Sequence, residues 1–139
     1  MPIQPSGDAA TVGTVEIAPD YEAGLSDLEG FSHIILLYHF HQVTGTQLTV
    51  TPFLDEEPHG VFATRAPTRP NPIGLSVVEL IRRDGNVLHI ANLDILDGTP
   101  VLDVKPFVPA FDAVEVTRIG WLQGQEEAVK RRNSDRRFS

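Results

Sequence analysis

At 139 residues and 41% hydrophobic content, the chain is long enough to bury its own core and short enough to form one domain. It contains no cysteine, which excludes disulfides, thiolate metal sites and a cysteine nucleophile. A net charge of −8 argues against indiscriminate nucleic-acid binding, and no apolar run reaches the roughly 20 residues of a membrane helix.

The charge is unevenly spread. Residues 1–59 hold nine acids and neither Lys nor Arg, so all eleven basic residues follow Gly60. The densest basic run is Lys130 to Arg137, in a tail of about residues 124–139 that reads first as a solvated chain end and, more sharply, as phosphate contact with RNA. The N-terminus shows no charged segment followed by an apolar one, so a cytoplasmic protein is expected.

Residues 1–12 are polar and turn-rich, and Val12 to Ile17 alternates as a short strand. Tyr21 to Leu28 has helical spacing for one or two turns before Gly30. Phe31 to His41 is the strongest strand, with the apolar run Ile34 to Leu37 expected to be buried on both faces. Gln47 to Thr51 predicts another short strand, and Pro52 to His59 an acidic loop. Beyond a proline-rich stretch come Leu75 to Ile81 and Val87 to Leu93, joined by a hairpin at Asp84-Gly85-Asn86. Asp94 to Pro100 is a tight loop, Val101 to Val104 a strand, and Lys105 to Asp112 a segment with two more prolines. Val114 to Val116 and Ile119 to Leu122 are short apolar pieces, and Gly124 to Arg132 predicts a terminal helix. Short strands at about ten-residue spacing indicate a mainly β barrel or sandwich with minor helix.

The stretch Gly60 to Leu80 (GVFATRAPTRPNPIGLSVVEL) carries the most chemistry. Its prolines fix φ and restrain their neighbours, so a stiff extended loop is expected. Arg65 and Arg69 in that loop suit a carboxylate or phosphate, because a guanidinium can hold two oxygens at once. A plain connector with solvated arginines is the competing reading. His39 and His41 could bind a metal with Asp94, Asp97 or Asp103, yet no third histidine stands at ligand spacing, and hydrogen-bonded strand-end histidines are preferred. Asp103 and Lys105 alternate on one strand and fit an ion pair better than an acid–base pair. Trp121 is expected in the core.

The stretches GVFATRAPTRPNPIGLS, FSHIILLYHFH, NLDILDGTPVLDVKPF and the closing GWL resemble the TsaA-like family, also known as UPF0066. The resemblance covers nearly the whole chain. It implies a single small β-barrel with short helices, a non-Rossmann S-adenosylmethionine-dependent methyltransferase working as a homodimer, with the cofactor near the subunit interface. The implied substrate is the N6 of threonylcarbamoyladenosine at position 37, in the anticodon loop of tRNA. Other RNA, a small molecule, or non-catalytic S-adenosylmethionine binding are the alternatives. Implied cofactor contacts are Pro2, Ile3, Gln4, His41, Gln42, Arg65, Leu75 and the loop Asp94, Ile95, Leu96, Asp97, Gly98 and Thr99. Arg69, Asn71, Asp103 and Lys105 are the implied substrate-positioning groups, with Asp103 the candidate proton acceptor, and the charge of the basic tail adds Lys130, Arg131 and Arg132 as candidate RNA contacts. Members open with a strand reading like I-G-x-I-x-S-P-[FY], whereas this chain opens Met1-Pro2-Ile3-Gln4, so the expectation is either that this first strand is missing or that the start is assigned downstream of the real one.

Overall fold

The computed structural model describes residues 3–5 (backbone only), 12–52, 55–91, 95 and 97–123. Eight strands account for most regular structure: β1 (Ile3–Pro5), β2 (Gly13–Glu16), β3 (His33–His39), β4 (Thr49–Val50), β5 (His59–Gly60), β6 (Ile73–Asp84), β7 (Val87–Ala91) and β8 (Val101–Pro106). Six form one antiparallel sheet in the order β1-β2-β7-β6-β3-β8, and β4 and β5 form a separate ribbon. The chain is mainly β, as expected. The implied closed barrel is not formed among the described residues: β1 pairs only with β2 and β8 only with β3, so the sheet is open.

The β6–β7 hairpin turns through Gly85 and Asn86, with Asp84 opposite Val87. Gly85 takes φ 61°, the left-handed conformation such a tight turn requires. Asn86 then ties the hairpin to β2, its side-chain amide donating to the Ile17 carbonyl at 2.7 Å. Ile81 forms a bulge between Leu80 and Arg82 and bends β6 beyond the length the apolar pattern suggested.

Strand β3 is central, paired with β6 along its whole length and with β8 on its other side. Ile34, Leu36 and Tyr38 are buried in the core with Val15, Val78, Leu80, Leu88, Ile90 and Val101. Ile35 and Leu37, on its other face, are only half-buried. The expectation of a strand covered on both faces therefore fails on one side. Opposite them on β6, Leu75 and Val77 are exposed, as is Ile73 next along that face. The segment before β3 is not one helix but two 3-10 turns, Pro19–Leu25 and Leu28–Gly30, broken where Asp27 adopts φ 72°. They lay Leu25 and Leu28 on the core. A one-turn helix, Pro109–Asp112, follows β8, and Val114 and Val116 beyond it are exposed. The expected terminal helix at 124–132 lies outside the described residues.

Candidate functional site

The proline-rich loop is fastened to the C-terminal end of β3. The Phe40 amide donates to the Pro72 carbonyl at 2.8 Å, and the Gln47 amide to the Thr68 carbonyl at 2.9 Å. The loop is not simply extended. Amides of Arg69 and Ile73 reach back two residues to the Pro67 and Asn71 carbonyls, giving two three-residue turns, centred on Thr68 and Pro72. Arg69 is the internal brace. Its Nη1 donates to the carbonyls of Thr64 (2.8 Å) and Ala66 (3.0 Å), the residues on either side of Arg65. Thr64 adds a second brace, its hydroxyl donating to Val61 and accepting from the Ala66 amide.

Beside this loop lies an open cleft of about 210 Å³ lined by Tyr38, Phe40, Arg65, Arg69, Gly74 and Leu75, among others. Its floor is tight. Tyr38 meets Phe40 edge-to-face with centroids 5.6 Å apart, and its hydroxyl is 2.9 Å from Ser76 Oγ. Gly74 is required there, since a Cβ would stand 2.3 Å from the Tyr38 ring. Arg65 has no carboxylate partner among the described residues. The cleft thus offers an apolar wall, an aromatic floor and two guanidinium groups without a carboxylate partner among the described residues, of which Arg69 is tied to loop carbonyls and Arg65 is not.

The other side of the same strand end is held by the loop before β8. The His39 amide donates to the Pro100 carbonyl at 3.0 Å, Thr99 and Ile95 are buried, and Gly98 turns with φ 83°. The structure therefore brings Arg65, Leu75, the Asp97–Thr99 turn, and His41 and Gln42 just past β3 to one end of that strand. Strand β1 lies further along the same sheet: Ile3 and Gln4 pair with Val15 and Thr14, and β2, β7 and β6 stand between β1 and β3 in the strand order. Pro2, Asp94, Leu96, Lys130, Arg131 and Arg132 lie outside the described residues.

Asp103 and Lys105 form the expected ion pair, 3.0 Å apart and about half exposed. They stand opposite Leu37 and Ile35, on the half-buried face of β3. The Lys105 hydrogen bond, helped by the Val104 amide, holds the Asp103 carboxyl below its usual range and makes it a weak proton acceptor. Asn71 is exposed, and its carbonyl is committed to Ile73. No cluster of three metal-capable side chains exists among the described residues.

Three aromatic contributions escaped the sequence reading. Tyr38 and Phe40 build the cleft floor, whereas alternation alone placed them on a strand without a role. Trp121 is half-buried but absent from the main core cluster. It stacks on His59 (centroids 4.9 Å, 14° between planes), and its Nε1 donates to the Ala63 carbonyl at 2.8 Å, two residues before Arg65. His59 in turn donates to Asp55 at 2.6 Å. The third is Phe62, exposed beside Arg69. Its place in GVFATR next to the arginines was the available signal.

Comparisons with known proteins place this geometry. A family model described as the tRNA-methyltransferase O N-terminal domain matches residues 1–113. A Pyrococcus abyssi protein named a probable S-adenosyl-L-methionine-binding protein is 55% identical over 99% of this chain and 75% of its own. The Escherichia coli tRNA (adenine(37)-N6)-methyltransferase is 36% identical over 92% of this chain and 59% of its own. A crystal structure of TrmO from Pseudomonas aeruginosa superposes with a TM-score of 0.66 and 44% identity, covering 81% of this chain and 49% of that one. The chain thus spans about half to three quarters of these relatives.

Proposed function

The chain belongs to the family of the tRNA-methyltransferase O N-terminal domain, and from that premise we propose that it is an S-adenosylmethionine-dependent methyltransferase acting on the N6 of adenosine 37 in tRNA, with threonylcarbamoyladenosine as the form methylated. The observation that carries the reading is the cleft: an unpaired guanidinium at one side and apolar and aromatic groups around it.

Those residues fit the methyl donor. Arg65 grips a carboxylate, Leu75 and Phe40 cover an apolar ring face, and the Asp97–Thr99 turn with Asp94 receives hydroxyls or an ammonium. His41, Gln42, Ile95, Leu96 and the segment Pro2–Gln4 complete the proposed set. When bound, S-adenosylmethionine supplies an electrophilic methyl group. The protein's share is alignment and exclusion of water rather than proton transfer, because Asp103 is paired and its basicity lowered. Asn71, Asp103 and Lys105 accordingly position the nucleoside, and Arg69, Lys130, Arg131 and Arg132 supply positive charge for RNA.

A cleft of about 210 Å³ falls below the roughly 300–1,000 Å³ common for ligand sites. A second copy covering the exposed β6 face deepens it, since Ile73 and Leu75 belong to both face and cleft. We therefore assign the protein as a homodimer acting in the cytoplasm. Non-catalytic binding of S-adenosylmethionine is the second reading, favoured by the Pyrococcus relative's name.

The test is incubation of the purified protein with S-adenosylmethionine and tRNA carrying either adenosine or threonylcarbamoyladenosine at position 37. Mass spectrometry of the nucleosides is expected to show one added methyl on the modified base. Cofactor binding without any methylated nucleoside favours the second reading.

A further inference from the structure

Phe62 stands in solvent on a turn that is otherwise fixed. It keeps 75% of its surface exposed although Val61 before it is buried and the Ala63 carbonyl after it is held by Trp121. Such a ring gains nothing for the core. The Arg69 guanidinium lies 5.9 Å from its centroid, within cation–π range. Nη1 of that guanidinium is taken by the Thr64 and Ala66 carbonyls, leaving its other donors for an outside acceptor.

The charge around the ring is unusual for this acidic chain. Among the described residues, Arg82, Arg83 and Lys105 are each paired with a carboxylate: Asp84, Glu29 and Asp103 respectively. Arg65, Arg69 and Arg118 are not, and two of these three line the cleft beside Phe62. An exposed aromatic face next to uncompensated positive charge matches a ligand that alternates flat π-rings with anions. An unpaired nucleic-acid strand is such a ligand, because its bases stack on aromatic side chains while its phosphates meet guanidinium groups. An apolar protein partner instead favours the β6 face, where Ile73, Leu75 and Val77 are contiguous.

We propose that Phe62, backed by Arg69, is a stacking platform for one unpaired base of an RNA loop, adjacent to the base that is methylated. The inference rests on the reading that the substrate is a loop of RNA. It goes beyond that reading by naming the side chain that holds a neighbouring base and by predicting a contact indifferent to that base's identity, since every base has a π-face. Arg69 thereby serves twice, fixing the backbone around Arg65 and placing positive charge for the phosphate next to the stacked base.

The experiment is equilibrium binding of a fluorophore-labelled RNA hairpin whose loop carries the target adenosine, with a fully paired duplex as control. Calorimetry with S-adenosylmethionine and light scattering run alongside. Phe62→Ala is expected to weaken hairpin binding about tenfold, with cofactor affinity and oligomeric state unchanged. Its salt dependence should keep the parental slope, since no charge is removed. Phe62→Leu, equally apolar but without a π-face, should weaken binding likewise, and Phe62→Trp should retain it. Parental hairpin affinity in Phe62→Ala, or an equal loss on the duplex control, overturns the platform while leaving the RNA reading intact. A parent protein that binds S-adenosylmethionine but not the hairpin overturns both. A change of oligomeric state in Phe62→Ala overturns the platform and makes Phe62 a protein contact.

Discussion

Gly74→Ala tests the cleft floor, and two physical rules give it opposite signs. In a strand, replacing Gly by Ala ordinarily stabilises by about 0.5–1 kcal/mol, because the unfolded chain loses freedom. Gly74 has no positive φ that would forbid the exchange. The space does forbid it: an added methyl lies 2.3 Å from Tyr38 Cε2, 2.6 Å from Tyr38 Cζ and 2.8 Å from Phe40 Cζ. Tyr38 has little room to retreat, being 2% exposed, packed edge-on against Phe40 and hydrogen-bonded to Ser76. Overpacking of this kind costs about 1–3 kcal/mol, and with the ring so confined the upper part of that range applies. The net loss is about 2 kcal/mol, which lowers the thermal midpoint of a chain this size by roughly 6–10 °C. Thermal unfolding followed by circular dichroism reads it directly. Affinity for S-adenosylmethionine should fall too, since the displaced rings line the cleft. A midpoint equal to or above the parent's refutes the close approach of Gly74 to Tyr38.

Arg65→Ala and Arg69→Ala separate ligand contact from bracing. Arg65→Ala should weaken S-adenosylmethionine about tenfold or more, the worth of a charge-assisted hydrogen bond, at an unchanged midpoint; parental affinity sinks the assigned role. Arg69→Ala frees two loop carbonyls and should lower the midpoint as well as the affinity. Acid stability tests the Asp55–His59 contact. The His59 hydrogen bond, with the amides of Glu57 and Glu56, holds the Asp55 carboxyl below its ordinary 3.8. A carboxyl lowered on folding stabilises above its unfolded value, and that contribution disappears as pH falls through the lower folded value. Asp55→Asn should therefore reduce the midpoint near neutrality and flatten its decline below about pH 4; an unaltered acid limb shows that the pair contributes nothing.

What the sequence made legible was what local periodicity and turn chemistry encode. The β3 strand and the Asp84-Gly85 hairpin stand where alternation and a left-handed glycine put them. Strand β6 runs further at both ends than its apolar stretch, because Pro72 masked its start and a bulge at Ile81 reset its alternation. The β4–β5 ribbon was half visible: Thr49 and Val50 read as strand, but their partners His59 and Gly60 carry no strand signal. At the site, two arginines in one loop announced an anion. Which of them faces outward depends on the carbonyls of Thr64 and Ala66, and no residue pattern encodes that choice. The Trp121–His59 stack joins residues far apart in sequence, and an aromatic residue near a chain end reads equally as core.

The open sheet has one more consequence, concerning how copies of this chain can meet. Free strand edges invite ladder extension and fibres. Among the described residues both edges of the sheet are blunted. One is β1, three residues long and ending in Pro5, which has no amide to donate. The other is β8, which carries Lys105 and ends in Pro106. Lateral growth is thus discouraged at the margins, while the Ile73–Leu75–Val77 surface stays available. The proposed homodimer, meeting face-on, would end at two copies, where edge pairing could continue without limit.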